Sequence, residues 1–127
     1  MSSHIIAQSF SGAGTVFTAS NTYTGDAETI LTASIPSKNE YNQVNIVIDL
    51  DDVISYFILC DQDVSLKTND YSDADNTVNL VANVPLIWNS DSYYTGLLTV
   101  TVSSMWVLNN SGTTATFKVG YLYDSTP

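Results

Sequence analysis

The sequence has no arginine, one histidine and one cysteine. Only 13% of its 127 residues are charged, and 13 of those charges are acidic. The 3 basic residues are Lys38, Lys67 and Lys118, which leaves a formal charge of −10. Each shortage excludes something. Without arginine there is no bidentate clamp for phosphate or carboxylate. With so little positive charge the chain cannot replace phosphate counterions, so DNA and RNA are excluded as partners. The same charge repels anionic membranes. It favours solubility at high local concentration and suits a basic or divalent-cation partner.

A single cysteine allows no intramolecular disulfide. Cys60 ends the apolar run Tyr56-Phe57-Ile58-Leu59-Cys60 and reads as a small buried hydrophobe. Acid–base or nucleophilic catalysis usually uses a histidine in a structured position. The one histidine, His4, lies in a stretch that reads as a flexible, exposed terminus. A glycosidase needs two placed carboxylates. Glu28 and Glu40 have no recognisable context, and the aspartates sit mostly in turns. The sequence therefore predicts a non-enzyme without a cofactor. The start, Met1-Ser2-Ser3-His4-Ile5-Ile6, has neither the basic nor the apolar region of a secretory signal. No apolar run approaches the roughly 18 residues of a membrane span. Synthesis in the cytoplasm is expected.

What the sequence does contain is alternation. Val44, Ile46, Ile48 and Leu50 share one face of 44–50. Val78, Leu80, Ala82 and Val84 do so in 78–84, opposite Asn79 and Asn83. Leu98, Val100, Val102 and Trp106 share a face of 98–106, which places Trp106 in the core. Phe117, Val119, Tyr121 and Tyr123 repeat the pattern in 117–123. A period of two marks half-buried strands, and the residue types are strand-prone. Further strands are predicted near 15–23, 28–35, 55–60 and 64–69. Turn-forming clusters separate them, among them Ser11-Gly12-Ala13-Gly14, the stretch 69–76 and Asn109-Asn110-Ser111-Gly112. Asp51-Asp52-Val53-Ile54 reads as one helical turn at most.

Eight to ten short strands make an all-β protein, an antiparallel β-sandwich. The count fits a jelly roll. The length also fits an immunoglobulin-like sandwich without its paired cysteines. The expected organisation is an N-terminal arm or edge strand over 1–12 and one sandwich domain over 13–127. There is no repeat and no linker.

Two features are candidate sites. The cluster Asn69-Asp70-Tyr71-Ser72-Asp73-Ala74-Asp75-Asn76 is rich in hard oxygen ligands, and Asp70, Asp73 and Asp75 are candidates for Ca²⁺. Its spacing is not that of an EF-hand loop, and solvated loop acids are the plainer reading. Interface candidates are Ile5, Ile6 and Phe10 in the arm, and Tyr93 and Tyr94 in a polar loop beside Trp88. Each apolar arm residue contributes about 1.5–3 kcal/mol if fully buried.

Three segments carry a family likeness. They are Cys60-Asp61-Gln62-Asp63-Val64-Ser65-Leu66-Lys67-Thr68-Asn69, then 76–88 from Asn76-Thr77-Val78 to Leu86-Ile87-Trp88, then 110–119 with the ending Tyr123-Asp124-Ser125-Thr126-Pro127. Together, over roughly 25–127, they resemble small structural proteins of tailed bacteriophages encoded beside the major capsid protein. The likeness is one of strand-and-turn phrasing. It implies a head decoration, or cement, protein on the outer capsid surface. It further implies the major capsid protein as partner and a homo-oligomer, often a trimer. It carries no active site. Composition leaves two other classes open: a tail, baseplate or fibre module, and a carbohydrate-binding sandwich with exposed aromatics.

Overall fold

The computed structural model describes residues 2–92 and 96–124. Among them are ten strands and no helix. In chain order these are β1 (Ser2–Gly12), β2 (Thr15–Gly25), β3 (Ala27–Ile35), β4 (Tyr41–Val44) and β5 (Val53–Cys60). There follow β6 (Val64–Thr68), β7 (Thr77–Leu80), β8 (Leu86–Asn89), β9 (Met105–Leu108) and β10 (Ala115–Tyr123). Two four-stranded antiparallel sheets form the body, in the orders β3-β10-β5-β8 and β4-β9-β6-β7.

Those orders define the topology. Within the body the first strand pairs the last (β3 with β10), the second pairs the seventh (β4 with β9), the third pairs the sixth (β5 with β8), and the middle two pair each other (β6 with β7). This is one long hairpin rolled across two sheets, the jelly-roll arrangement of Greek keys. An immunoglobulin-like order is thereby excluded.

One apolar cluster lies between the sheets. Tyr56, Ile58 and Cys60 of β5, Leu66 of β6, Val107 of β9 and Phe117 and Val119 of β10 are all buried there. Burial alternates along β3, β6, β7 and β9, as a pleated strand with one wet face requires. Ile46 and Ile48 are buried as expected, although only Ile48 joins a ladder, as an isolated bridge to Val102.

Several expected strands are cut or shifted. The 78–84 strand stops at Leu80, because Asn83 turns the chain at φ 63° and leaves Val84 exposed. The 98–106 run is not one strand. The Asn69 side chain accepts hydrogen bonds from the Ser103 N–H and hydroxyl, and the strand phase restarts at Met105. Met105 and Val107 therefore face inward and Trp106 faces outward, which corrects its expected core position. In β10 Tyr121 packs against the core cluster as expected, whereas Leu122, on the opposite face, is buried beside Gly25 at the root of the hairpin, and a register shift follows it at Tyr123. The expected helical turn at 51–54 is a tight turn held by the Asp49 carboxylate and carbonyl, and β5 begins at Val53.

Residues 2–25 stand apart from both sheets. β1 and β2 pair only with each other, as a two-stranded hairpin. The N-terminal segment is thus neither a lone arm nor an edge strand of the sandwich. The arm continues to Gly25, because residues 15–25 pair with 2–12 instead of joining the body.

Candidate functional site: the amino-terminal hairpin and its root

The hairpin is specified locally. Gly12 and Thr15 pair across a two-residue loop, Ala13-Gly14, with φ of 51° and 78°. Two successive positive φ values give the turn whose twist matches paired strands. Glycine takes that conformation freely, whereas alanine is strained in it. From the turn the register runs unbroken to Ser2 opposite Gly25. Serine and threonine predominate in the strands, with no proline and no charged residue apart from His4 if protonated.

The root is fastened to the body. The Asp26 N–H donates to the Tyr123 carbonyl at 3.1 Å. Gly25 packs so closely that a Cβ there would lie 2.5 Å from that oxygen. His4 is half-buried, not free in solvent. Its Nδ1 lies 2.6 Å from Ser55 Oγ on β5, and its Nε2 lies 3.2 Å from Glu28 Oε2 on β3. Serine, histidine and glutamate are also the residue types of a hydrolytic triad. Here Ser55 is buried on a central strand and paired on both sides, to Leu122 and Asn89. The main chain around it is committed to the ladder, and the contact's geometric role is to tie the arm to two strands at once.

A groove of about 410 Å³ runs along this root. Ile5, Ile6, Ile30, Phe57 and Ile87 line it, with His4, Glu28 and Ser55 as its polar members. Beside it, along β2 and sharing Ile87, lies a second, more polar cleft lined by Gln8, Asn21, Tyr23, Asn89, Asp91 and Ser92. Desolvation first, and then the adjacent Asp91 carboxylate that accepts its hydrogen bond, raise the Tyr23 phenol above its usual pKa.

Beyond the root the hairpin leaves the body, and residues 7–22 are all exposed. Phe10 and Phe17 face each other across the strands near the tip, ring centroids 6.4 Å apart, and are 69% and 63% exposed. Val16 is exposed beside them. Of the interface residues expected from sequence, Ile5, Ile6 and Phe10 therefore lie on one element: Ile6 half-buried at the root, Ile5 exposed on the opposite face, Phe10 near the tip. Tyr93 and Tyr94 lie outside the described residues. Val16 and Phe17 were missed, because 15–23 reads as a strand of the body. The signal that finds them is charge. All 13 acidic residues fall at or after Asp26, so the hairpin carries no carboxylate in an otherwise acidic chain.

The acidic loop is engaged in its own folding. The Asp70 carboxylate accepts from the Ser72 N–H and hydroxyl, which holds its pKa below the ordinary value. Asp75 accepts from Asn69 Nδ2 at 2.6 Å. Among the described residues no three acidic, histidine or cysteine side chains are brought together where they could hold a metal, Asp70, Asp73 and Asp75 included. Tyr71 of this loop packs on Trp106 and stacks with Tyr41, and Lys67 Nζ sits 4.9 Å from the Tyr41 ring centre. The aromatics cover one another and pin the loop to the outer face of β4 and β9. Cys60 is fully buried, and loss of solvation pushes its thiol pKa up.

Comparison with protein families, with curated proteins and with solved structures finds no match to this chain.

Proposed function

We propose that the chain is a virion structural protein of a tailed bacteriophage, a decoration or cement protein that binds the outer surface of the head and stabilises it. The observation that supports this reading best is the hairpin. A neutral, apolar-tipped arm projects from an acidic jelly-roll body, which suits a part that works by contact. Exposed apolar surface of this kind marks an interaction site. Jelly rolls serve in capsid and lectin domains, which suits the reading without selecting it. The sequence likeness supplies the shell and the major capsid protein as partner.

The mechanism is mechanical. Body and arm touch neighbouring subunits, and many weak contacts on a repeating lattice add up to firm attachment. Acidic bodies keep clear of the packaged genome. The test is to add the purified protein to shells that lack it and to follow their thermal rupture. Saturable binding with a raised rupture temperature is expected. Shells that neither bind the protein nor gain stability refute the reading.

A further inference from the structure

We propose that the hairpin's partner is the hairpin of a second copy of this chain, joined to it edge to edge as one continuous β-sheet. This rests on the reading of the arm as the contact element, and it names the surface the arm meets. Three observations carry it.

The first is the state of the edges. In a two-residue hairpin the pair flanking the loop exchanges hydrogen bonds, and so does every second pair after it. Those pairs are Gly12–Thr15, Phe10–Phe17 and Gln8–Ala19. The residues that alternate with them, Ala7, Ser9 and Ser11 on β1 and Val16, Thr18 and Ser20 on β2, turn their N–H and C=O groups outward. Proteins normally guard such edges with lysine, proline, a bulge or a cover. The exposed stretch 7–22 has none of these: no charge, no proline and an unbroken register. An open edge of this kind is a template for strand addition.

The second is charge. The body carries every carboxylate, so two bodies in contact repel each other. The hairpin, which carries no carboxylate, lets two copies meet without opposing like charges. From Ser9 to Gly12, past the residues that line clefts with the body, it extends about 13 Å at roughly 3.3 Å per residue. Hairpins joined over that length hold the bodies beyond the roughly 8 Å screening length of physiological salt.

The third is area. At 69% and 63% exposed, Phe10 and Phe17 together leave roughly 200–330 Å² of apolar surface per copy to be covered. Ala19 on the same face, Val16 on the other and the paired backbone add to that contact.

The test is sedimentation velocity over a range of concentration, with hydrogen exchange on the same samples. The wild-type chain is expected to associate. The outward amides of Ser9, Ser11, Thr18 and Ser20 should exchange more slowly as it does so. Ser9→Glu with Thr18→Glu, and separately Phe10→Ser with Phe17→Ser, are expected to sediment as monomers with an unchanged circular dichroism spectrum. A wild-type chain that stays monomeric throughout, or association that leaves those four amides unprotected, overturns the inference. So does association that survives both pairs of substitutions. Shell binding by the same variants is measured separately. Loss of self-pairing with shell binding retained leaves the shell role standing, and the reverse result removes that role alone.

Discussion

At the scale of single residues, two side chains organise more backbone than their neighbours. Asn109 is fully buried. Its amide donates to the carbonyls of Ile35 and Thr113 at 2.9 and 2.8 Å, and its oxygen accepts from the Ser111 N–H. Removing it strands main-chain groups away from water, which costs more than the bonds contributed. Asn109→Ala is expected to lower unfolding free energy by about 2–4 kcal/mol, read as a fall in the urea midpoint. Asp70 gives a pH effect. Its folded pKa is depressed by the Ser72 hydrogen bonds, so its contribution is present above the ordinary value of 3.8 and is lost as pH falls through the lower folded value. Exchange of the Ser72 amide should accelerate over that acidic window, and Asp70→Asn should remove the pH dependence. Asn69, at φ 71°, donates to Asp75 and to the Thr101 carbonyl and accepts from Ser103, so it ties the acidic loop to the segment before β9.

At the scale of elements, the hairpin and the body are separate units of stability. Residues 7–22 are exposed, so opening the hairpin tip uncovers little of the core. Ala13 holds a φ that costs an alanine about 1 kcal/mol relative to glycine. Ala13→Gly should slow amide exchange along β1 and β2 and leave the global urea midpoint unchanged. A large rise in the midpoint would mean that arm and body unfold together. The alternating residues made most body strands legible in the sequence, because one face of each is buried. The hairpin was half legible. Ile5, Ile6 and Phe10 stood out as apolar residues in a polar stretch, but period-two patterning cannot tell a strand paired to its neighbour from one paired to a distant partner. The shift at Ser103 was hidden for a related reason, since the side chain that causes it lies 34 residues earlier in the chain.

At the scale of the molecule, charge dominates. A net charge of −10 with 3 lysines leaves most carboxylates without a cationic partner, and mutual repulsion opposes the compact state. Salt should therefore stabilise the fold. The melting temperature is expected to rise as sodium chloride is added at low concentration and to level off once the screening length falls below the spacing of surface carboxylates. Sulfate and chloride compared at equal ionic strength separate screening from surface exclusion, since only the latter distinguishes the two anions. A melting temperature that falls with added chloride would contradict this account.

By itself the sequence determined the all-β class, the inward faces of most strands, the acidic surface and the buried thiol. Each follows from local pattern or from composition, which the chain carries wherever it folds. Tertiary structure decided the rest. It chose the jelly-roll order, joined 15–25 to 2–12 and turned Trp106 outward. It committed Asp70 and Asp75 to their own loop and brought His4 between Ser55 and Glu28, 51 and 24 residues away in sequence. Those outcomes depend on which distant strand supplies each hydrogen-bonding partner. The energy that selects among partners comes from burying faces together, a quantity that belongs to the assembled sheets and to no single segment.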